Sequence, residues 1–305
     1  MELLYALEKI RTPFLDKIMS LVTQLGEETV FIVASIIVFW CISKKCGYYM
    51  LTVGFSGLIL NQFLKLWFRI PRPWVKDPNF TIVESAREAA TGYSFPSGHT
   101  QDAFAMLGCP ATYSKNKWIK CVLYALVLVV SFSRMYLGVH TPLDVGVSFA
   151  LGLILMIVMY PMFRDMDEKP KNTYILLSVF IVLALAFVLF VEFYRFPADI
   201  DLENLASGKK SAYMILFCAL AMMLVYHVDR TKLQFPTDAV WWAQLIKLAL
   251  GLGITLAIKV GLKAPLLKLC GGHDIATGLR YFAIIIFGGI IWPLTFKWFS
   301  KLGRK

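Results

Sequence analysis

The chain has 305 residues, of which 58% are hydrophobic and only 17% are charged, and its mean hydropathy is +0.65. A soluble domain of this size carries about 45–50% apolar and about 25% charged residues, so the composition excludes an ordinary water-soluble globular protein. The net charge of +11 is spread over short segments between apolar runs, which favours membrane topology and anionic lipid headgroups over nucleic acid as its explanation.

The first 24 residues predict one amphipathic helix that lies along the membrane surface. Its acidic residues are Glu2, Glu8 and Asp16. Its apolar residues recur at helical spacing: Leu3, Leu7, Ile10, Phe14, Ile18 and Leu21. Acids this early are not typical of a cleavable signal peptide, whereas acids beside an apolar stripe are typical of an interfacial helix.

The remaining chain predicts an all-α fold, a polytopic bundle of membrane helices, because apolar stretches of about twenty residues recur along it. The predicted spans are 29–43, 48–68, 99–113, 118–136, 142–163, 173–194, 211–227, 239–260 and 280–299. The third is the least apolar, and its Gln101 and Asp102 indicate that it faces protein or a wet cavity. The six cysteines lack CxxC pairs and metal-ligand spacing, so we interpret them as small buried hydrophobic residues.

Three short polar segments, here called the polar patches, interrupt the apolar chain at residues 65–73, 96–99 and 133–144. The first follows the second predicted span, the second opens the third span, and the third joins the fourth span to the fifth. Alternation of spans therefore predicts that all three lie on one membrane face. Because opposite faces would exclude a shared site, this arrangement permits one.

The cations of the patches are Lys65, Arg72 and Arg134. Each alone is explained without function, because Lys65 can snorkel to the interface, Arg72 can be a loop charge between two prolines, and Arg134 can mark a span boundary. Together they are suited to a phosphoryl group, whose transfer is catalysed mostly by positioning and electrostatic stabilisation of charged oxygens.

The second patch, Pro96-Ser97-Gly98-His99, precedes a predicted helix. A helix N-terminus offers free N–H groups to an anion, Gly98 permits close backbone approach, and Ser97 adds a hydroxyl donor. His99 is then placed to give a proton to the bound group. The structural alternative is a plain cap in which Ser97 caps the helix and His99 is incidental.

The third patch ends in His140-Thr141-Pro142-Leu143-Asp144. Thr141 is a good N-cap, Pro142 suits the first helical position, and Asp144 suits the first turn, so Asp144 has a purely structural explanation. In the functional interpretation its carboxylate accepts a hydrogen bond from one imidazole nitrogen of His140, which fixes the tautomer and leaves the other nitrogen as a nucleophile. One carboxylate can cap the helix and orient His140 at the same time.

The patches resemble the signature of the type 2 phosphatidic acid phosphatase superfamily, which also contains vanadium haloperoxidases and bacterial acid phosphatases. The family pattern KxxxxxxRP is matched by Lys65 and Arg72-Pro73 and the pattern PSGH by residues 96–99. The pattern SRxxxxxHxxxD is matched by Ser133, Arg134, His140 and Asp144. Every fixed position is filled in the right order.

The resemblance implies a metal-independent phosphatase without cofactors, built on a six-helix core. It implies that His140 attacks phosphorus and forms a phosphohistidine, that Asp144 orients His140, and that His99 is the general acid and base. It also implies which groups bind the phosphoryl oxygens: Lys65, Arg72, Ser97, Gly98 and Arg134. Arg69 falls in the variable stretch of the first motif and is assigned no role.

Residues beyond the motifs depart from the minimal family pattern. We predict that residues 1–165 comprise the interfacial helix and the start of the core, that 166–210 supply its sixth span and a connecting loop, and that 211–305 form about three additional C-terminal spans of unassigned role. The polar residues of that region include Lys247, expected to be buried in a pairing or to snorkel, and His273, expected to be a loop residue.

The leading hypothesis is an integral membrane lipid phosphatase that hydrolyses a lipid phosphomonoester or pyrophosphate. The alternatives are a phosphotransferase that delivers the group to a lipid or sugar hydroxyl, and a non-catalytic lipid-binding or transport protein with a vestigial site. The expected partners are a membrane lipid phosphate as substrate and the bilayer, with no nucleic acid; a homo-oligomer stays open. The expected location is the cell membrane, with the site on the extracytoplasmic face, although Lys and Arg are almost evenly divided between the two faces.

Overall fold

The computed structural model describes residues 1–303 and is helical throughout this part of the chain, which confirms the predicted fold class. Its helices have the following bounds: α1 Glu2–Lys9, α2 Pro13–Thr23, α3 Glu28–Cys41, α4 Lys44–Phe68, α5 Pro73–Lys76, α6 Gly98–Ala103, α7 Cys109–Tyr113, α8 Lys117–Tyr136, α9 Pro142–Arg164, α10 Pro170–Phe193, α11 Leu202–Val228, α12 Trp241–Gly261, α13 Lys263–Leu269, α14 Ile275–Ile286 and α15 Phe296–Phe299.

Seven helical stretches in the described residues are long and apolar enough to cross a membrane, rather than the nine predicted. They are Lys44–Lys76, Lys117–Tyr136, Pro142–Arg164, Pro170–Phe193, Leu202–Leu233, Trp241–Leu269 and Ile275–Phe299. An eighth is obtained if Pro13–Gly26 and Glu28–Cys41, which meet at 54°, are counted as one broken span. The predicted spans 29–43 and 99–113 are therefore the two that are not among the seven. The first corresponds to α3, which has only 14 residues.

The predicted span 99–113 is divided into α6, a π-helical turn at Phe104–Gly108, and α7. These three pieces follow one another without a gap from Gly98 to Tyr113, and together they are too short to count as a candidate membrane span. The turn packs closely on α9, because a Cβ on Gly152 would lie 2.5 Å from the ring of Phe104.

The single helix predicted over residues 1–24 is instead two helices, α1 and α2. Thr12 has extended backbone angles, its hydroxyl accepts a hydrogen bond from the Leu15 N–H, and Pro13 occupies the first helical position. These features begin a new helix and interrupt the old one. Most of the predicted apolar stripe is exposed, whereas Leu4 and Leu7 are buried.

The described chain comprises two compact units, of which the first contains residues 1–35, 49–164 and 197–205. In this unit a long loop over residues 69–97 is fixed by two apolar clusters. One joins Ala86 and Ala90 to Tyr136, Leu137 and Val139, which follow or end α8. The other buries Leu4 of α1 against Phe80 and Ile82 of the loop.

Polar contacts bind the same loop to the N-terminal helices. Arg11 donates from Nε to the Tyr136 carbonyl at 2.9 Å and from Nη1 to the Thr81 carbonyl at 2.8 Å. Tyr136 in turn donates its hydroxyl to Asp16 at 2.8 Å. The N-terminal helices thus hold the loop that carries Arg72 and the residues before α6.

The second unit contains residues 36–48, 165–196 and 206–303 of the described chain. Its interior includes Trp40, whose indole N–H donates to the Gly288 carbonyl at 2.8 Å and whose ring lies where a Cβ on Gly251 would be. Lys247 is buried and donates to the Trp40 carbonyl at 2.9 Å. Its ammonium group is therefore paired with backbone oxygen, as expected from the sequence.

Candidate active site

The first unit brings the three polar patches together around His140. His140 is buried in the short connection between α8 and α9, and its backbone N–H donates to the Arg134 carbonyl at 3.3 Å. Arg72 lies in the loop that follows α4, and Ser97 precedes α6. The alternation argument, which placed the patches on one face, is consistent with this arrangement.

Arg72 contacts the His140 ring directly. Its Nη1 lies 2.9 Å from His140 Nε2 and also donates to the Val139 carbonyl at 2.9 Å. Its Nε and Nη2 donate to the carbonyls of Gly92 at 3.0 Å and Thr91 at 2.7 Å. Four of the five N–H groups of the guanidinium are thereby used, which fixes its plane.

The Arg72 contact determines which nitrogen of His140 carries the proton. A guanidinium can only donate, so His140 Nε2 must accept and therefore has a free lone pair. In the neutral ring the proton is then on Nδ1, which lies 3.6 Å from Asp144 Oδ2. This separation is longer than a hydrogen bond, and Nδ1 is buried without a hydrogen-bond partner among the described residues.

Asp144 is buried and its Oδ2 receives two strong hydrogen bonds. Ser94 donates its hydroxyl at 2.6 Å and the Thr141 N–H donates at 2.7 Å. The Asp144 N–H donates a hydrogen bond to the Thr141 hydroxyl at 3.3 Å, so the two residues cap the start of α9 with a reciprocal pair of hydrogen bonds. The same carboxylate thus caps the helix and faces the His140 ring.

The electrostatic surroundings of His140 are strongly positive. Burial lowers its pKa well below the ordinary 6.5, and Arg72, Arg134 and Lys65 lower it further. Desolvation and neighbouring cations both disfavour imidazolium. The ring is therefore neutral at physiological pH, which is the state required of a nitrogen nucleophile.

Arg134 and His99 present buried N–H groups and a ring nitrogen that no described residue satisfies. Arg134 donates from Nη1 to the Thr23 hydroxyl at 2.7 Å, whereas its Nε and Nη2 have no partner. Nε2 of His99 is buried and also without a partner. Because unpaired buried polar atoms are costly, these groups indicate a place for an anionic ligand.

The second patch lies at the edge of this region. Ser97 is buried, and its hydroxyl caps α6 by accepting from Thr100, so the structural explanation of Ser97 holds although its own O–H can still donate. A Cβ on Gly98 would meet nothing within 4 Å, so the backbone there borders open space. Lys65 is half-buried on α4, and its electrostatic neighbours include Arg72, Arg134 and Asp144.

Sequence reasoning missed the residues that support this arrangement. Ser94 holds Asp144, Thr23 holds Arg134, and the carbonyls of Thr91 and Gly92 hold Arg72. None of these residues belongs to a spaced motif. Thr91, Gly92 and Ser94 lie just before the second patch in the sequence, and this is the one signal that could have identified them. Thr23 has no such signal. In the described residues, no group of three or more His, Cys, Asp or Glu side chains could hold a metal ion.

Comparisons with known proteins agree with the geometry. The model of the PAP2 superfamily matches residues 45–168, and that of the PAP2 superfamily phosphatase transmembrane extension matches residues 213–305. No solved structure matches the chain.

Three curated proteins illustrate the similarity. Phosphatidylglycerophosphatase B of Bacillus subtilis is 30% identical over 176 residues, which are 53% of this chain and 80% of that protein. A dihydrosphingosine 1-phosphate phosphatase of Schizosaccharomyces pombe is 29% identical over 205 residues, 62% of this chain and 48% of the relative. An undecaprenyl-diphosphatase of Bacillus subtilis is 34% identical over 113 residues, 37% of this chain and 55% of the relative. The chain thus spans about half the length of the last two.

Proposed function

This chain belongs to the PAP2 superfamily and is a membrane lipid phosphatase of that family, and we propose that it cleaves a lipid phosphomonoester or diphosphate through a phosphohistidine on His140. The observation that carries the mechanism is the pair of contacts on the His140 ring. Arg72 donates to Nε2, and Nδ1 faces Asp144. This arrangement supports a neutral ring whose Nε2 lone pair becomes available for attack when the substrate displaces the Arg72 N–H.

In the proposed first step, Nε2 of His140 forms a bond to phosphorus while the bond from phosphorus to the leaving oxygen breaks. The Nδ1 proton stays between the ring and Asp144, which stabilises the positive charge that the ring acquires. His99, protonated once the negative charge of the bound phosphate offsets the neighbouring cations, gives that proton to the departing alkoxide or phosphate and becomes neutral. In the second step, His99 takes a proton from water, the water oxygen bonds to phosphorus, and the P–N bond breaks.

We assign Lys65, Arg72, Arg134, the Ser97 hydroxyl and the Gly98 backbone to the phosphoryl oxygens. The unpaired N–H groups of Arg134 support its assignment. Arg72 has one unused N–H and gains a second when the substrate displaces its contact with Nε2. Such donors act mainly on the charge that develops in the transition state, and removal of one typically costs about 2.7–4 kcal/mol of barrier.

The substrate we propose is a membrane lipid that bears a terminal phosphate, either a monoester or a diphosphate. The names of the relatives support this class, since they specify phosphatidylglycerophosphate, a sphingoid base phosphate and undecaprenyl diphosphate. Residues 1–210 would supply the phosphatase core in this proposal, and residues 211–305 would be an addition to it. Transfer to an acceptor hydroxyl uses the same groups, and product analysis with and without acceptor separates it from hydrolysis.

The test is a panel of phosphate-release assays on the purified full chain with these lipid classes, in parallel with His140→Ala. We expect release from at least one lipid phosphate, inhibition by vanadate, and at least a roughly thousandfold loss in His140→Ala without loss of folding. Ordinary turnover in His140→Ala would overturn the mechanism. Failure of the intact chain to release phosphate from any lipid would favour a vestigial site.

We further propose that the site faces away from the cytoplasm of a cell membrane. A single cysteine at the exposed position of Asn79, introduced into a variant without the six native cysteines, tests this orientation. Labelling of intact cells by a membrane-impermeant maleimide is expected. Labelling only after the membrane is opened would place the site on the cytoplasmic face.

A further inference from the structure

A second basic cavity lies in the C-terminal part of the chain, within the second unit. It has a volume of about 140 Å³ and is lined by residues of α11, α13 and α14, including Lys210, Lys263, Thr277, Asp274 and Arg280. We call it the Arg280 cavity. Three cations and one carboxylate leave its charged lining with a net charge of +2 if all are ionised.

Arg280 is the residue of this cavity that indicates an anionic ligand. Its side chain is only 8% exposed, and its Nε is buried without an acceptor in the described part of the chain. The guanidinium carbon lies 5.5 Å from the ring centroid of the adjacent Tyr281. Asp274 also lines the cavity. A buried guanidinium N–H without an acceptor is costly, particularly in a membrane helix.

Helix α14 packs closely on α11 at Gly278. A Cβ on Gly278 would lie 2.4 Å from the Phe217 ring and 3.0 Å from the Tyr213 carbonyl. Arg280 follows two residues later, about 200° around the helix axis, and so lies on another face of α14. On that face it lines the cavity together with Lys210 of α11 and Lys263 of α13.

The depth of Arg280 indicates the source of an anion. It is five residues beyond the first residue of α14, or about 8 Å along the helix axis. The apolar stretch that contains it is a candidate membrane span, Ile275–Phe299. The cavity is thus near one end of a candidate span, where a span approaches the lipid headgroups, and Lys210 and Lys263, which line it, are exposed.

We propose that the Arg280 cavity binds a phosphate group, with Arg280 as its buried donor and Lys210, Lys263 and the Thr277 hydroxyl as further donors. Guanidinium groups match the geometry of phosphate oxygens in paired, charge-assisted hydrogen bonds. The ligand is an anionic phospholipid headgroup or free phosphate. This site is separate from the proposed catalytic groups and does not depend on them.

The test uses the full chain in a neutral detergent, in a His140→Ala background that prevents turnover. Native mass spectrometry counts the molecules of dioctanoyl phosphatidylglycerol retained by the parent, by Arg280→Gln, by the pair Lys210→Gln/Lys263→Gln, and by the control Lys268→Gln. Lys268 is exposed on α13 and does not line the cavity. Because the catalytic groups are the same in all four proteins, any difference belongs to the Arg280 cavity.

We expect one bound lipid fewer, or an affinity at least about tenfold weaker, in Arg280→Gln and in the lysine pair, and no change in Lys268→Gln. If Arg280→Gln elutes as an aggregate, lipid retention by the Lys210→Gln/Lys263→Gln variant tests the proposal instead. Displacement of the lipid by millimolar inorganic phosphate would assign the site to phosphate from either source, and its failure would assign it to the lipid headgroup. Equal retention by all four proteins would overturn the proposal.

Discussion

The two nitrogens of the His140 ring have different surroundings, and the difference originates in a residue 68 positions earlier in the chain. Arg72 is held by three backbone carbonyls and donates to Nε2, so it fixes the ring and the tautomer before a substrate arrives. A substrate phosphate must displace this contact. In the proposed mechanism the Arg72 N–H that donated to Nε2 then donates to a phosphoryl oxygen, while the backbone carbonyls keep the guanidinium in place.

The lowered pKa of His140 predicts an unusual acid limb in the pH profile. Since burial and the charges of Arg72, Arg134 and Lys65 lower this pKa, the ring stays neutral as the pH falls through 6.5. We expect kcat/KM, which reports the free enzyme, to lose its His140-dependent activity only well below pH 6.5. In Arg72→Gln, where one of these charges is gone, the same limb is expected to move to higher pH.

The measurement is kcat/KM against pH for both proteins with one soluble lipid-phosphate analogue. An acid limb centred at or above 6.5 in the parent, with no movement in Arg72→Gln, would contradict the described environment of His140.

Ser94 is predicted to be a positioning residue. Ser94→Ala removes the 2.6 Å hydrogen bond to Asp144 Oδ2 and leaves only the Thr141 N–H to hold that oxygen. Loss of one partner of a buried, charged group costs about 1–3 kcal/mol, so we expect kcat to fall by roughly ten- to hundredfold with little change in KM.

A matched control is available in α9, the helix that carries Asp144. Ser148 is also buried, but its hydroxyl donates to the backbone carbonyl of Asp144 rather than to the carboxylate. Ser148→Ala should therefore leave kcat within about threefold of the parent, since it spares the carboxylate. Equal losses in the two variants would mean that Ser94 acts through general stability only.

At the scale of elements, the site depends on how closely short segments approach one another. Gly26 ends the turn between α2 and α3 and lies against the start of α6. A Cβ there would be 2.7 Å from the His99 carbonyl oxygen and 3.0 Å from the Cβ of His99. These distances leave no room for a methyl group unless α6 moves.

Gly26→Ala is therefore expected to displace His99 and to lower kcat by at least about tenfold, with a lower Tm as well, because overpacking typically costs about 1–3 kcal/mol. Gly146→Ala is the control, since a Cβ at that position in α9 would meet nothing within 4 Å. It should be neutral or slightly stabilising, as alanine favours helix over glycine. Steady-state kinetics and thermal unfolding of both variants provide the comparison, and normal kcat in Gly26→Ala would contradict the packing.

The helix boundaries show where periodicity alone fails. The apolar spacing of residues 3–21 predicted one helix, but Thr12 and Pro13 begin a second one. The spacing of residues 99–113 predicted one span; the segment is helical from Gly98 to Tyr113, with a π-helical turn, but it is too short to count as a candidate span. In residues 3–21 a local backbone constraint outweighs the apolar pattern, and Pro13 was the signal available from the sequence.

At the scale of the molecule, the helical membrane fold followed from composition and the recurrence of apolar stretches, because burial in lipid requires internal backbone pairing. The grouping of the patches followed from counting spans. The supporting contacts could not be predicted in this way. Ser94 and Asp144 are 50 residues apart and Thr23 and Arg134 are 111 apart, and no pattern of short period links such pairs.

The proposed mechanism depends on a covalent intermediate at His140. The measurement that tests it most directly is rapid quenching of the enzyme with a ³²P-labelled lipid phosphate, followed by mapping of the labelled peptide. His140→Ala is the control, because it lacks the nucleophile. We predict an acid-labile label on His140 that is absent from His140→Ala. Turnover without label on His140, or a label that persists in His140→Ala, would contradict the mechanism.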